Sequence, residues 1–581
     1  MFYLSFLYGL FGLSFLVFIH ELGHFFAARY YGMRVAVFSV GMGPALVSWV
    51  RNEIEYKIGM IPFGGYVSIL GMDEETEDEK SYFKKGPYQR FVVSFAGPFV
   101  NLVFAFIGFS MIYMAGGSLK DSVDGSNIVG MVDPQSKVYE LGLRPGDRIE
   151  KINGQKAEGR QGFFFHNLLD APTSLIEGES INYVTHERKP FSFEVESTKK
   201  VVQGVELHMN GLSTPASYLL LDSKRTAAIT AKDSPFEKAG LEDGDRLIWA
   251  NGELIFSREQ LQNLLAEEVA FLTVLRDHQV IHVKVPKVAL STLKLSGDEK
   301  EELNDLRFDA KLPLIQEAKF IPYAIDQEAI VSGIVGEDAL LKFNDRILAV
   351  DGVRTPTGGD VMRRLQEKHI VTIFAHDTYE PLSQDLLVKD FYQDVNFTDM
   401  QRLIGKIGIE AKDQKIGNLK LLAAVEPMQV EHQGEIAYRL GLHLVDRQIV
   451  VNPGPMTLFF GSIRDMGRLF SHLTQGDLSP KYLSGPVGII TVMQRGWADG
   501  FTEGMFLLST ISLNLGLFNL LPLPVLDGGH IMFSFYEMIT RKRIDRKLME
   551  RLLFPCALLL IGFAIFTTFH DILRLVNIFK S

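Results

Sequence analysis

The sequence predicts a polytopic α-helical membrane protein with four spans, interrupted between the second and third by a long polar α+β insert. Three observations carry this. Residues 1–19 (continuing to about 28), 91–119, 504–526 and 552–569 are apolar over membrane length and uncharged, apart from one motif in the first. Residues 120–503 are polar enough to be soluble. Within that stretch one short motif recurs about every 100 residues. At 581 residues the chain exceeds one ordinary domain, and its 47% hydrophobic content is too low for a protein that is membrane throughout. A net charge of −11 argues against nucleic acid as a partner. The single cysteine, Cys556, excludes an internal disulfide framework and a cysteine-based zinc site.

The first span is expected at 1–28. It is read as a retained helix rather than a secretory signal peptide, because it lacks a basic leading region and a small-residue cleavage site. It ends in His20-Glu21-Leu22-Gly23-His24. On a helix His20 and His24 share one face, so both imidazoles can chelate one zinc ion while Glu21 handles a proton. Two satisfied core histidines are the plainer alternative, but ionisable groups at membrane depth are costly. A loop over 29–90 and a second span over 91–117 follow. The stretch 540–551 holds six basic and two acidic residues and is expected in the cytoplasm. That places the 29–90 loop there too, and both termini and the insert on the opposite side. The acidic run Asp73–Glu79 reads as a solvated loop.

In the insert, Gly142-Leu143-Arg144-Pro145-Gly146-Asp147-Arg148-Ile149 leads to Asn153-Gly154, and Gly240-Leu241-Glu242-Asp243-Gly244-Asp245-Arg246-Leu247 leads to Asn251-Gly252. A weaker copy, Asn344-Asp345-Arg346-Ile347, leads to Asp351-Gly352, and a trace remains at Gly441-Leu442, Asp446-Arg447 and Asn452. Each clear copy reads as turn, short strand, tight hairpin turn and helix, with Ser257 and Gln260 capping the helix of the second. The pattern resembles PDZ domains, which implies docking of an extended peptide or protein segment at a sheet edge. A ligand-free β-rich spacer is the alternative, favoured for the last two copies. The units are expected in tandem at 118–210, 211–300 and 301–400, with a degenerate remnant at 401–455. Residues 456–500 are expected to be a membrane-proximal amphipathic segment, within which helix-like 456–473 lies on the membrane surface with Phe459, Phe460, Ile463, Met466, Leu469 and Phe470 on one side.

The third span, 503–539, contains Asn519-Leu520-Leu521-Pro522-Leu523-Pro524-Val525-Leu526-Asp527-Gly528-Gly529-His530. The prolines break the helix and the glycines loosen it. Asp527, after 23 uncharged residues, fits a third metal ligand; it also fits a helix cap, and His530 is an alternative ligand. A fourth span covers 552–573.

His20-Glu21-x-x-His24 in the first span and Asn519-x-x-Pro522-x-Pro524-x-Leu526-Asp527-Gly528 in the third resemble the paired signature of the site-2 protease family of intramembrane metalloproteases. Gly41-Met42-Gly43-Pro44 with Phe63-Gly64-Gly65-Tyr66-Val67 is similar to that family's membrane-associated β-loop. Ala96-Gly97-Pro98 with Asn101 is similar to its second span, and Ser484-Gly485-Pro486-Val487-Gly488-Ile489 to the stretch before its third. The resemblance covers about 1–260 and 455–581. It implies the full fold class: four transmembrane helices, a membrane-associated β-loop and an inserted tandem of PDZ-like α+β domains. It implies that His20, His24 and Asp527 bind Zn2+, that Glu21 is the catalytic base, that Asn519 lies near the substrate backbone, and that Gly64 and Gly65 admit an extended substrate. It also implies a bacterial inner-membrane location, with a periplasmic insert and single-span membrane proteins, such as anti-sigma factors or remnant signal peptides, as substrates in the bilayer. Two rivals are a membrane-anchored PDZ scaffold with an inactive metal site and a metal transporter; the latter calls for more polar residues on the second and fourth spans than Asn101 and Cys556.

Overall fold

The computed structural model describes residues 2–72, 76–157, 159–160, 162–163, 173–202, 205–222, 241–313, 318–335, 340–376, 381–383, 391–410, 414–432, 435–475, 480, 483–542 and 546–580. Gly240 of the second motif copy, part of the acidic run (73–75) and part of the basic stretch (543–545) lie outside them. The chain forms two compact units. One comprises residues up to 119 together with those from 451 onward; the other is 120–450.

In the first unit, helix α1 (Phe2–Tyr30) leads into strands β1 (Val35–Arg51) and β2 (Ile54–Ile69), then helix α2 (Pro87–Met114). Among the described residues, four helices are long and apolar enough to cross a membrane, at Gly9–Tyr30, Pro87–Met114, Phe501–Asn519 and Arg551–Arg574. Small residues let these helices approach closely. A Cβ on Gly23 of α1 would stand 2.4 Å from the Ala96 carbonyl of α2, and one on Gly516 would stand 3.0 Å from the Pro98 carbonyl. The strands fold back on themselves. Val37–Val40 pairs on one edge with Gly65–Ser68 and on the other with Glu55–Ile58. Gly65–Ser68 is therefore an outer strand.

Two regions of this unit each divide into two helices. The segment 503–539 is two helices, Phe501–Asn519 and Asp527–Thr540, because Pro522 and Pro524 stop the first and its chain turns before the second begins. That turn is tight: a Cβ on Gly528 would lie 2.2 Å from the Leu521 carbonyl. The segment 456–500 forms two helices, Pro455–Gln475 and Pro486–Asp499, each packed in part against neighbouring helices. On Pro455–Gln475, Leu458, Phe459 and Ile463 pack with Ala105, Phe109 and Leu513, while Phe460 is exposed. On Pro486–Asp499, Ile490 and Met493 are buried against α1, where Gly9 and Gly12 make room. The last helix, Arg546–Lys580, overruns its expected span at both ends. Its buried Asp571 accepts the Gly488 backbone N–H at 2.7 Å, at the start of Pro486–Asp499.

The second unit shows why its motif repeats. Asp147, Asp245 and Asp345 each turn a carboxylate back onto the N–H three residues earlier (Arg144, Glu242, Lys342) at 2.7–2.8 Å, closing the turn before a strand. Asn153-Gly154, Asn251-Gly252 and Asp351-Gly352 all adopt positive φ, as the tight hairpin turn requires. In the first copy the partner strand is its own: Arg148–Ile152 pairs with Thr173–Ile181, and Asn153 Oδ1 accepts the Leu175 N–H.

The second and third copies are nested rather than tandem. Asp245–Ala250 pairs with Ile370–His376, while Val269–Arg276 pairs with Arg346–Val350. The turn side chains follow: Asn251 Oδ1 accepts the N–H of Val371, and Asp351 Oδ1 that of Phe271. One core joins Leu247, Leu261 and Leu264 to Ile370, Phe374 and Leu422; the other joins Leu272 and Val274 to Ile347, Val361 and Leu365. The boundaries 211–300 and 301–400 are corrected accordingly. Both turns present a side-chain oxygen, Asn251 Oδ1 and Asp351 Oδ1, to the N–H of a strand about 80–120 residues away in the chain. Residues 401–455 are no separate remnant. Gln414–Ile416 and Leu419–Val425 extend the sheet containing Asp245–Ala250, and Asp446 accepts from Ser122 Oγ and from the N–H groups of Val123 and Tyr218. Burial pushes the Asp446 carboxyl up to about 6.

Candidate active site

Within α1, His20 and His24 project from one face with ring centroids 4.9 Å apart. Asp527 is the first residue of its helix, but Leu526 occupies the capping position and makes no side-chain cap bond. The Asp527 carboxylate turns instead to the imidazoles: Oδ2 is 3.1 Å from His20 Nε2 and Oδ1 is 3.4 Å from His24 Nε2. The two Nε2 atoms are 3.2 Å apart. Among the described residues this is the one group of His, Cys, Asp and Glu donor atoms close enough to share a metal ion.

All seven residues singled out from the sequence line one cavity of about 430 Å³: His20, Glu21, His24, Gly64, Gly65, Asn519 and Asp527. The backbone N–H of Val67, on the outer strand, donates to the Glu21 carboxylate. Gly65 lies against that side chain; a Cβ there would stand 3.2 Å from Glu21 Cγ and 2.8 Å from the Ser39 carbonyl. Gly64 holds φ +79°, a left-handed conformation that glycine adopts without strain. His530 is not brought to the cavity. It lines a smaller one with Tyr82, Arg90, Phe533, Ser534 and Glu537, which removes it as the alternative ligand.

The family model "Peptidase family M50" matches residues 8–563, nearly the whole chain. The chain belongs to peptidase family M50, the site-2 protease family. The resemblance seen in the two motifs is thereby borne out. This M50 chain is 33% identical over 617 residues to a protein of Chlamydia trachomatis serovar D, covering 97% of each. It is 34% identical over 623 residues to one of Chlamydia pneumoniae, covering 97% of this chain and 98% of the relative. A Thermotoga maritima protein is 23% identical over 577 residues, covering 97% of each. The C. trachomatis and T. maritima proteins carry the name "Putative zinc metalloprotease", and the C. pneumoniae name begins with the same words. Family and relatives support a membrane metalloprotease.

The donor set of the M50 chain fits zinc. Tetrahedral bonds of about 2.0–2.1 Å put neighbouring ligand atoms ~3.3–3.4 Å apart. The two Nε2 atoms are 3.2 Å apart, and each imidazole has its own Asp527 oxygen near that distance, Oδ2 at 3.1 Å from His20 and Oδ1 at 3.4 Å from His24. The other ring nitrogens are also engaged. His24 Nδ1–H donates to the Val93 carbonyl at 2.8 Å, and His20 Nδ1 lies 3.2 Å from the Asn101 amide. Sequence reasoning missed Val93 altogether, since any residue offers a carbonyl. It met Asn101 only through resemblance; the available signal was an amide inside the apolar run of α2.

Proposed function

We propose that this chain is an intramembrane zinc metalloprotease that hydrolyses a peptide bond within or beside the transmembrane helix of a membrane-anchored substrate. The observation that carries the reading is the convergence of His20, His24 and Asp527 beside Glu21 in one cavity. Those three side chains would hold the ion through two imidazole nitrogens and a carboxylate oxygen. Zinc, when bound, polarises the scissile carbonyl and acidifies water. Glu21 takes the proton from the attacking water and delivers it to the leaving amine. The Val67 N–H and the flat wall at Gly65 keep that carboxylate aimed into the cavity.

A helical substrate hides its carbonyls in its own hydrogen bonds, so the scissile segment must unwind. The outer strand Gly65–Ser68 supplies an edge along which an unwound chain can be held extended, with Gly64 and Gly65 allowing close approach and Asn519 contacting its backbone. The protein sits in a bacterial inner membrane with the insert in the periplasm, a reading supported by the basic stretch 540–551. The repeat units act as PDZ-like docking sites or size filters, which suits membrane-tethered anti-sigma factors or remnant signal peptides as substrates. The chain resembles the bacterial regulator of sigma-E protease but carries a third repeat unit beyond that protein's two PDZ domains.

The test uses full-length protein in nanodiscs with a reporter membrane helix. Glu21→Gln should lower cleavage by ~10²–10⁴-fold while zinc content stays at the wild-type level, and a chelator should abolish wild-type cleavage. Wild-type turnover by Glu21→Gln, or wild-type protein that holds no zinc, refutes the proposal.

A further inference from the structure

The ring nitrogens that face away from the metal position carry information the three ligands do not. For Nε2 of a neutral imidazole to offer its lone pair to a metal, Nδ1 must hold the proton, and that proton needs an acceptor. His24 meets this requirement without ambiguity, because the Val93 carbonyl 2.8 Å from its Nδ1 can only accept. His20 has no carbonyl there. Its Nδ1 faces the side-chain amide of Asn101 at 3.2 Å, and an amide can present either its nitrogen or its oxygen.

Asn101 is fully buried in the middle of α2, and its Oδ1 is buried without a hydrogen-bond partner while Nδ2 is turned to His20. That orientation would force the His20 proton onto Nε2, toward His24 and Asp527. The amide oxygen and nitrogen exchange places by a half-turn. The exchanged amide gives the orphan oxygen the Nδ1–H of His20 and frees Nε2. The backbone of Asn101 is held independently, since its carbonyl accepts Ser512 Oγ from the neighbouring helix at 3.0 Å. The backbone at 101 is thus held by a contact that a side-chain substitution leaves intact.

We infer that Asn101 is a positioning residue for His20: its amide oxygen accepts the Nδ1–H, which fixes the ring and directs the Nε2 lone pair at the metal position. The inference rests on the metal-site reading above. Asn101 is not among the residues that line the site cavity and meets His20 only from behind, at Nδ1.

The experiment measures zinc affinity of the full-length protein in nanodiscs by chelator competition, together with the visible absorption spectrum of the cobalt-loaded form. Asn101→Leu and Asn101→Ala remove the acceptor, while Asn101→Asp restores one of the same shape. The expected result is a ~10–100-fold loss of zinc affinity for Leu and Ala, an altered cobalt spectrum, and wild-type values for Asp. The apo proteins should melt within a few degrees of wild type, so that an effect confined to the metal is separated from a folding defect. Wild-type zinc affinity and cobalt spectrum in a folded Asn101→Leu or Asn101→Ala protein overturn the inference and leave the metal site standing. An Asn101→Asp protein as weak as Leu also overturns it, because the effect would then belong to packing. If wild-type protein and Asp527→Asn bind zinc equally poorly, the metal-site reading itself falls.

Discussion

Gly97 on α2 sets how closely the second span can lie to the metal-binding face of the first. A Cβ added there would stand 2.2 Å from His24 Nε2, 2.7 Å from Cε1 and 2.8 Å from Cδ2. Ordinary carbon contacts begin near ~3.5 Å, so the ring and the helix must separate by about 1.3 Å. The ring cannot simply rotate away, because its Nδ1 is tied to Val93, one turn earlier on α2 itself. A shift of that size is several times the ~0.2 Å tolerance of zinc–ligand distances. Gly97→Ala should therefore lower zinc affinity by at least the ~10–100-fold seen when a supporting contact is lost, and overpacking should cost ~1–3 kcal/mol of stability. Gly108→Ala is the control. Its Cβ would stand 2.0 Å from Ser509 Oγ, an equally tight clash on the same helix, but with no site residue involved. Chelator competition for zinc on both variants, with melting of the apo forms, separates the two effects. Equal zinc affinity for Gly97→Ala and wild type would refute the claim that this glycine exists to seat His24; equal losses for both variants would assign the effect to helix packing in general.

Two further predictions concern the insert. Deleting residues 301–400 would excise one module cleanly from a tandem array, but here it removes Ile370–His376, the neighbour of Asp245–Ala250, and Arg346–Val350, the neighbour of Val269–Arg276. The second repeat copy should become protease-sensitive while the first copy, whose strands pair internally, stays resistant; a resistant second copy would contradict the nested pairing. Asp446 gives a pH signature. Its folded-state value is raised to about 6 from 3.8, so its protonation favours the fold at low pH, and that contribution is lost as pH rises through 6. Between pH 7 and 5 wild type should gain about 1 kcal/mol relative to Asp446→Asn, measured by denaturant titration at both values; parallel pH responses would remove the assignment.

The sequence made legible whatever depends on neighbours along the chain. His20 and His24 share a helix face by spacing alone, and the Asn-Gly turns and their preceding aspartates are written locally. Choices between equivalent partners were not legible. Asp527 and His530 lie three residues apart, close enough on a helix that either could serve as a ligand. The selection came from the backbone of 520–526, which starts the helix at Asp527 and sends His530 toward Arg90 and Glu537. The repeat units posed the same problem on a larger scale. Copies two and three carry similar turns, each with a side-chain oxygen that accepts a distant strand's N–H, so the local pattern does not say which strand belongs to which core. The apolar stripe of Pro455–Gln475 left its neighbours open for a related reason, since such a stripe fits a lipid surface and another helix alike. Glycine links the legible and illegible parts. Gly65 and Gly97 look like flexible links in the string of letters, yet each is the absence of a methyl group against a site side chain, Glu21 in one case and His24 in the other. The chemistry of the site is therefore encoded twice: once in the residues that act, and once in the residues kept small enough to let them meet.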